Sequence, residues 1–531
     1  MGFKQGSEQQ EHDVSETVSL EKEQIYQIEN GSSEEKRKYL RAGLTSEDAD
    51  FLLDLTPKQK SAIYHKVDVR VVPMLALLYL IAHLDRANIG NAKIEGMEDD
   101  LGMSGTDYNI AVATFFVSYI LFEVPSNLLL GKFKRPSFYI GSLVLAWGLV
   151  MTCCGFVQNF SSLCGCRFLI GLFEAGFFPG SMWLITQWYP PDRTGFRMSL
   201  FYFSSAASGA FSGLLAAGIT KMDGLGGQEG WRWIFIIEGL ASVAIGVTTF
   251  FLLPDTPNLS GRWLKPEEQR FLNLVHHATR GSARDQLTEP GQKKRLVKWS
   301  TVKAVLTDKH IYLQALVYMS NSVPNYALKF TMPQIIRNMG FTSTNAQLLT
   351  APPYFMGAFS AIAFAFGSDR LAWRMPFVLG PQSLVIIAYS VLFVYAAQIA
   401  DNVPLCYVMV VIACMGVYPI IPATNSWTIN NLAGAEKRNM GSGYFIMLGN
   451  CGGIVGSFIF LENEKPKYPT GFGSSLAFGA AGIVAALTVE YFYWSHNKKY
   501  ERITEEEANE QFGRASIDKM GDRSPLFKYQ L

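Results

Sequence analysis

Charge is scarce in this chain, and over long stretches it is missing. Asp, Glu, Lys and Arg make up 17% of the 531 residues, while apolar residues make up 49%. In water such apolar runs would stay uncovered, so lipid is expected as the solvent for much of the chain. The basic residues are divided among short connectors instead of forming one patch, and the net charge is +1, so nucleic acid is not expected as a partner. Cysteine is sparse as well. Cys153, Cys154, Cys164, Cys166, Cys406, Cys414 and Cys451 lie within or beside apolar runs, with no histidines at metal-ligand spacing, and read as small packing residues rather than a disulfide framework or metal site. There is no nucleophile and base set, so an enzyme is not expected and no cofactor is called for. The first twenty residues carry Glu8, Glu11, Asp13 and Glu16 but no apolar core and no small-residue cleavage site. The first apolar run is therefore expected to act as its own insertion signal.

What is present is a series of apolar runs. A helix needs about 20 apolar residues to cross the hydrocarbon core, and twelve candidate spans begin near Arg70, Tyr108, Phe138, Ser161, Met198, Trp231, Ile311, Ala346, Met375, Val403, Met440 and Gly473. The polar segment 254–310 is by far the longest connector and divides them into six and six. The expected fold is an all-α polytopic membrane protein, twelve transmembrane helices in two six-helix pseudo-symmetric bundles over 70–253 and 311–494. Tails 1–69 and 495–531 are polar and expected to be largely disordered. Within 254–310, Pro266, Glu267 and Glu268 followed by Phe271, Leu274, Val275 and Ala278 predict a short helix with one apolar face. One alternating set of connectors holds Lys132, Lys134, Arg135, Arg193, Arg197, Arg370, Arg374, Lys437 and Arg438; the other includes Glu95, Glu98, Asp99 and Asp100. Lys and Arg accumulate on the cytoplasmic side, which puts both termini and the central linker there.

The exceptions inside the apolar runs carry the chemistry. From Val71 to Leu84 no side chain is surely ionised at neutral pH, and then Asp85 and Arg86 stand side by side, ahead of Asn88 and Asn91. Arg167, Gly171 and Glu174, spaced by four and three, share one stripe of the fourth run, with about 10 Å between the charges along the axis. Ionised groups at membrane depth are costly and persist where they face a bundle interior and act on a substrate, ion or proton. Gly171 leaves room on the stripe for a partner helix or ligand. Arginine keeps its charge and its planar fork matches a carboxylate, so Arg86 and Arg167 suit anion capture, while Asp85 and Glu174 can take up and release protons. Burial favours the protonated acid and a neighbouring arginine the ionised one, so an anion that occupies the arginine changes proton affinity. The structural alternative is that Asp85 with Arg86, or Arg167 with Glu174, are closed ion pairs that fix helix packing.

Leu84-Asp85-Arg86-Ala87-Asn88-Ile89-Gly90-Asn91-Ala92, Phe122-Glu123-Val124-Pro125-Ser126-Asn127, Arg167-x-x-x-Gly171-x-x-Glu174-Ala175-Gly176-x-x-Pro179-Gly180 and Gly230-Trp231-Arg232-Trp233 resemble the fungal anion:cation symporters of the major facilitator superfamily, relatives of allantoate, nicotinate and vitamin permeases. The resemblance runs from about Asp68 to Trp494. It implies anion and proton binding by Asp85, Arg86, Arg167 and Glu174. The superfamily's basic loop is degenerate in Gly131-Lys132-Phe133-Lys134-Arg135 and better kept in Gly367-Ser368-Asp369-Arg370 with Arg374, which implies a gate at Asp369, Arg370 and Arg374.

Other polar residues are open to two readings. Lys329 either supplies a second positive charge to the substrate or snorkels to the surface. Asn88, Tyr354, Asn425 and Asn450 either bind substrate or hold helices together. Glu123 reads as a gate pair with a nearby base, and His83 as a packed histidine. Phe177, Phe178, Tyr318, Tyr326, Tyr418 and Trp427 either stack on a ring-bearing substrate or pack. The expected function is proton-coupled symport of a small organic anion by a monomer in the lipid bilayer of a fungal plasma membrane, with the proton gradient as driving force. An exporter of a fungal metabolite and a nutrient sensor of the same fold are the alternatives.

Overall fold

A computed structural model describes residues 34–281, 299–513 and 520–531, apart from positions 131, 372, 434 and 466. Among the described residues there is helix and no strand. Twelve long helices follow the twelve apolar runs: α1 Pro57–Ile94, α2 Asp107–Leu130, α3 Pro136–Cys154, α4 Phe160–Trp188, α5 Pro191–Ile219, α6 Gly230–Leu252, α7 Lys309–Asn338, α8 Ala351–Leu371, α9 Pro376–Tyr395, α10 Val403–Asn430, α11 Ala435–Phe458 and α12 Pro469–Lys499. Ten are long and apolar enough to cross a membrane by composition alone. The other two are α7 and α11. Gln314, Ser320, Asn321, Ser322 and Lys329 of α7 are buried, so its polarity faces protein rather than lipid.

The chain forms two units, and the larger one, 70–185 with 195–255 and 296–531, holds the bundles. In its first half α2 packs on α4 and α3 on α6; in its second half α8 packs on α10 and α9 on α12, the same pairs six helices later. Close approach is set by small residues, as in membrane bundles generally. A Cβ at Gly171 of α4 would overlap the Phe115 carbonyl and Ser118 Oγ of α2, and one at Gly239 of α6 would overlap Thr152 of α3. The open position expected at Gly171 is therefore used by a partner helix. Between the halves, α2 lies against α11.

The smaller unit consists of 1–69, 186–194 and 256–295. The expected linker helix forms at Pro266–His276, with Glu268 Oε2 accepting from the Lys265 amide at 3.0 Å. Its apolar face puts Phe271 edge-on to Tyr64 at 5.7 Å, and Tyr64 in turn stacks on Tyr189. Two further helices, Glu34–Arg41 and Ser46–Asp54, correct the expectation of a largely disordered 1–69 for its described part. Their polar composition hid them, because what holds Ser46–Asp54 is charge: Arg270 bonds Asp48 and Glu47 at 2.8 and 3.0 Å and covers the Phe51 ring. The expectation for 1–33 lies outside the described residues.

The C-terminal segment also departs from the disorder expected of 495–531. In 520–531 the Tyr529 ring stacks on Tyr493 of α12 at 4.3 Å, and the Gln530 carbonyl accepts from Trp427 and Asn431 at 3.0 and 2.9 Å. Backbone bonding to a buried indole and amide leaves no mark in composition.

Candidate substrate cavity

A cavity lies between the two halves of the larger unit, lined from α1, α2, α4 and α5 on one side and α7, α8, α10 and α11 on the other. Its polar floor is built from α1 and α7. Arg86 and His83, one turn apart on α1, meet Lys329, Tyr326 and Asn325 of α7. Elsewhere its walls are largely aromatic, with Tyr79, Tyr119, Phe178, Tyr202, Tyr318 and Tyr418. Of the ring-bearing candidates, Phe178, Tyr318, Tyr326 and Tyr418 line the cavity. Phe177 packs edge-on to Trp147, and Trp427 packs on Tyr493. Phe178 and Tyr418 each precede a proline in the fourth helix of their half, so the sequence echo marks matching wall positions.

The four charges singled out in the sequence are all buried, and two of them, Arg86 and Glu174, pair across helices. Arg86 Nε donates to Glu174 Oε1 at 2.6 Å, and its Nη1 donates to Tyr326 at 3.3 Å. The guanidinium also covers the Phe115 and Tyr119 rings at 5.0 and 4.8 Å. Asp85 faces elsewhere, because consecutive helical residues point about 100° apart. Its Oδ2 accepts from Trp147 Nε1 at 3.2 Å and Ser242 Oγ at 2.8 Å. Arg167 is 0% exposed and lies over Phe115 at 5.1 Å, and none of its three guanidinium nitrogens has a hydrogen-bond partner among the described residues. Neither of the closed pairs posed as the structural alternative forms. Asp85 and Arg86 diverge, and Arg167 and Glu174 are two turns apart.

The remaining candidates divide. Lys329 lines the cavity with Nζ 2.8 Å from His83 Nδ1, so it is buried and does not snorkel. His83 accordingly has a polar role in the cavity as well as packing edge-on to Tyr79. Asn88, Tyr354 and Asn425 do not line the cavity, which corrects their expected substrate contact. Asn88 donates to Glu238 of α6 at 2.8 Å, Tyr354 fills the space left by Gly209, and Asn425 donates to Tyr202 at 2.7 Å. Each of the three makes its contact between helices, the alternative open to such residues. Asn450 lines the cavity, and among the described residues Glu123 has no basic partner. In the expected gate, Arg374 Nη1 donates to Ser368 at 2.6 Å and Arg370 is exposed beside Phe366. The Asp369 side chain lies outside the described residues.

Sequence reasoning passed over Tyr79, Tyr119, Asn325 and, outside the cavity, Glu238. Glu238 carries a usable signal, an acid alone inside the apolar run 231–253.

One end of the larger unit is closed. There Lys93 Nζ pairs with Glu98 and Glu462 at 3.0 and 3.1 Å, Arg337 donates to the Ile94 carbonyl at 2.8 Å, and Gln347 donates to Glu95 at 2.9 Å. All but the Lys93–Glu98 pair join the first half to the second, at the end bearing the acidic connector. From the Arg86 and Lys329 level the cavity extends the other way, along Ala361 and Ala365 of α8, toward the end bearing the basic connectors.

Two halves closing at one end over a central cavity is the architecture of a known group of carriers, and the Major Facilitator Superfamily family model matches residues 75–457. The chain belongs to the major facilitator superfamily. As a member it is a multi-pass membrane transporter and not an enzyme. It is 32% identical to the MFS-type transporter cnsO of Penicillium expansum, over 89% of this chain and 91% of that protein. It is 28% identical to the high-affinity nicotinic acid transporter of Saccharomyces cerevisiae, over 91% of this chain and 88% of that protein. A bacterial homologue of the human lysosomal transporter Spinster, solved in an inward-facing and occupied conformation, matches with a TM-score of 0.58 at 15% identity, over 79% of this chain and 95% of that chain. At that identity the match speaks for the fold.

Proposed function

We propose that this major facilitator superfamily member is a proton-coupled symporter of a small organic anion, a flat carboxylate, taken up across a plasma membrane with both termini and the central linker cytoplasmic. The observation that carries the reading is Lys329. It is a buried cation on the cavity wall, and among the described residues it forms no ion pair. An ammonium group only donates, so His83 Nδ1 accepts from it and the neutral ring keeps its proton on Nε2, which has no partner. A substrate carboxylate placed there receives a charge-assisted bond from Lys329. The tyrosine-rich walls supply flat faces for a ring. Arg86, already engaged by Glu174, is the second cation of the cavity, and a carboxylate that displaces Glu174 from it releases an acid able to take up a proton. Asp85 and Glu174 are the candidate coupling groups. The similarity to a nicotinic acid transporter favours a ring-bearing carboxylate.

The test is uptake of a panel of labelled carboxylates at acid and neutral outside pH, with reverse flux from preloaded vesicles. Expected are accumulation that grows with outside acidity, preference for aromatic over aliphatic monocarboxylates, and a KM raised at least tenfold in Lys329→Gln. Equal competition by the neutral amide of the best substrate would sink the anion reading. Efflux driven by the same gradient, without uptake, would favour an exporter.

A further inference from the structure

Behind the cavity, α1 and α6 are joined by two polar rungs that the cavity chemistry does not use. On α1, Asp85 and Asn88 are three residues apart; on α6, Glu238 and Ser242 are four apart, so each pair lies on one stripe of its helix. Ser242 donates to Asp85 at 2.8 Å, and Asn88 donates to Glu238 at 2.8 Å. The side chains of Asp85, Asn88, Glu238 and Ser242 are 1%, 0%, 5% and 0% exposed as residues. None of the four lines the cavity. One oxygen each of Asp85, Asn88 and Glu238 has no partner: Oδ1, Oδ1 and Oε1.

Two buried acids thus share a site with acceptor oxygens to spare. Among the described residues neither acid is in an ion pair. The groups that face the site from its other neighbours are Trp147 of α3, which donates to Asp85, and Glu174 of α4, already held by Arg86. An ionised carboxylate buried without a cation is far costlier than a neutral one. What completes the site is therefore positive. Three free oxygens are too few for a hard metal ion, which gathers about six, whereas the indole, amide and hydroxyl donors hold one oxygen of each acid and leave the other free to take a proton.

We propose that Asp85 and Glu238 form a two-carboxyl proton site between α1 and α6, separate from the substrate cavity, that takes up and releases the transported proton. This rests on the proton-coupled reading above. The step is simple: a proton adds to one carboxylate oxygen on the side open to the donor compartment and leaves it as water takes it up on the other. Helix α1 ties the site to the cavity, because Asp85 and Arg86 are neighbours on it and point to different sides. Any movement of α1 that accompanies capture of the anion also shifts the Asp85 and Glu238 pair.

The experiment uses the purified full chain and reconstituted vesicles. Infrared difference spectra of the substrate-free protein against pH are expected to show a protonated-carboxyl band that titrates, that loses intensity in Glu238→Gln and in Asp85→Asn, and whose remaining part titrates at a shifted pH in each. A Glu238→Gln spectrum identical to the unaltered protein overturns the proposal, and so does removal of the band by sodium at constant pH. In vesicles, Glu238→Gln is expected to keep exchange of labelled for unlabelled substrate while gradient-driven accumulation falls at least tenfold; full accumulation overturns the site. Ser242→Ala removes one donor and no acid, so it folds independently of the fate of Glu238→Gln. It is expected to displace the pH profile of uptake with little change in its maximum, and an unmoved profile counts against the site. Absence of any proton-driven accumulation in the unaltered protein would overturn the proposed function instead, and the infrared titration would still decide the site.

Discussion

Arg86 holds two acceptors and two ring faces at once, which is more than a point charge can do. Its Nε meets Glu174, its Nη1 meets Tyr326, and Phe115 and Tyr119 lie against the plane. A lysine there keeps the charge but has neither the fork nor the plane. Arg86→Lys is therefore expected to fold, to reach the membrane and to lose substrate affinity by roughly tenfold or more, read as KM in uptake normalised to surface protein. Unchanged KM would assign capture to Lys329 alone. That the four charges are buried in the bundle was legible in the sequence, because an ionisable residue in an apolar run is expected to face protein rather than lipid. Their partners were not legible. Spacing places Arg167 and Glu174 on one stripe, yet which helix faces that stripe is a tertiary fact, and it is α1 that supplies the arginine. Asn88, Tyr354 and Asn425 show the same gap from the other side, since an amide or phenol that joins two helices looks in sequence like one that meets a ligand.

At the scale of elements, α7 and the C-terminal segment show how burial by protein, rather than by lipid, alters what composition reveals. Helix α7 was found as a run, yet its polar face makes it fail an apolar-span test that its neighbours pass. The segment 520–531 reads as a polar tail, but one lysine anchors it. Lys437 Nζ bonds Asp308 at 2.5 Å and both oxygens of Asp522 at 2.8 Å. Two acids share one ammonium. Burial works to raise Asp308, but the hydrogen bond and charge of Lys437 outweigh it and hold it below its ordinary value. Burial pushes Asp522 above its ordinary value, against the pull of Lys437. An acid raised in the docked state contributes to docking at low pH and loses that contribution as pH rises through its raised value, whereas a lowered one contributes until strong acid protonates it. Docking of 520–531 is thus expected to weaken as pH rises through the raised value of Asp522. Asp522→Asn should flatten that dependence and keep the segment docked, while Lys437→Met, which leaves two acids facing each other, should release it. Amide hydrogen exchange across 520–531 distinguishes the two. Equal protection in both variants would remove the anchor role of Lys437.

For the whole molecule, six and six helices were legible because one connector, 254–310, exceeds all others and because the runs repeat. The state the carrier occupies was not, since no pattern along the chain says which ends touch. The halves are joined at the acid-rich end by Lys93, Glu95 and Arg337, and the cavity extends toward the basic end. In alternating access such joints set the balance between two conformers, and each roughly 1.4 kcal/mol removed from one side changes their ratio about tenfold. Lys93 is buried beside Tyr108 and reaches Glu462 of the other half, so Lys93→Ala removes a cross-half pair and a cation over a ring at 3.9 Å. It is expected to raise the population open at the acid-rich end by several-fold. With the seven native cysteines replaced, a single Ser205→Cys on the cavity wall reports the change. A membrane-impermeant maleimide should label it only from the basic side when Lys93 is present, and from both sides in Lys93→Ala. Labelling from the acid-rich side at equal rates with and without Lys93 would mean that this pair does not hold the end shut, and that Glu95 and Arg337 carry the closure.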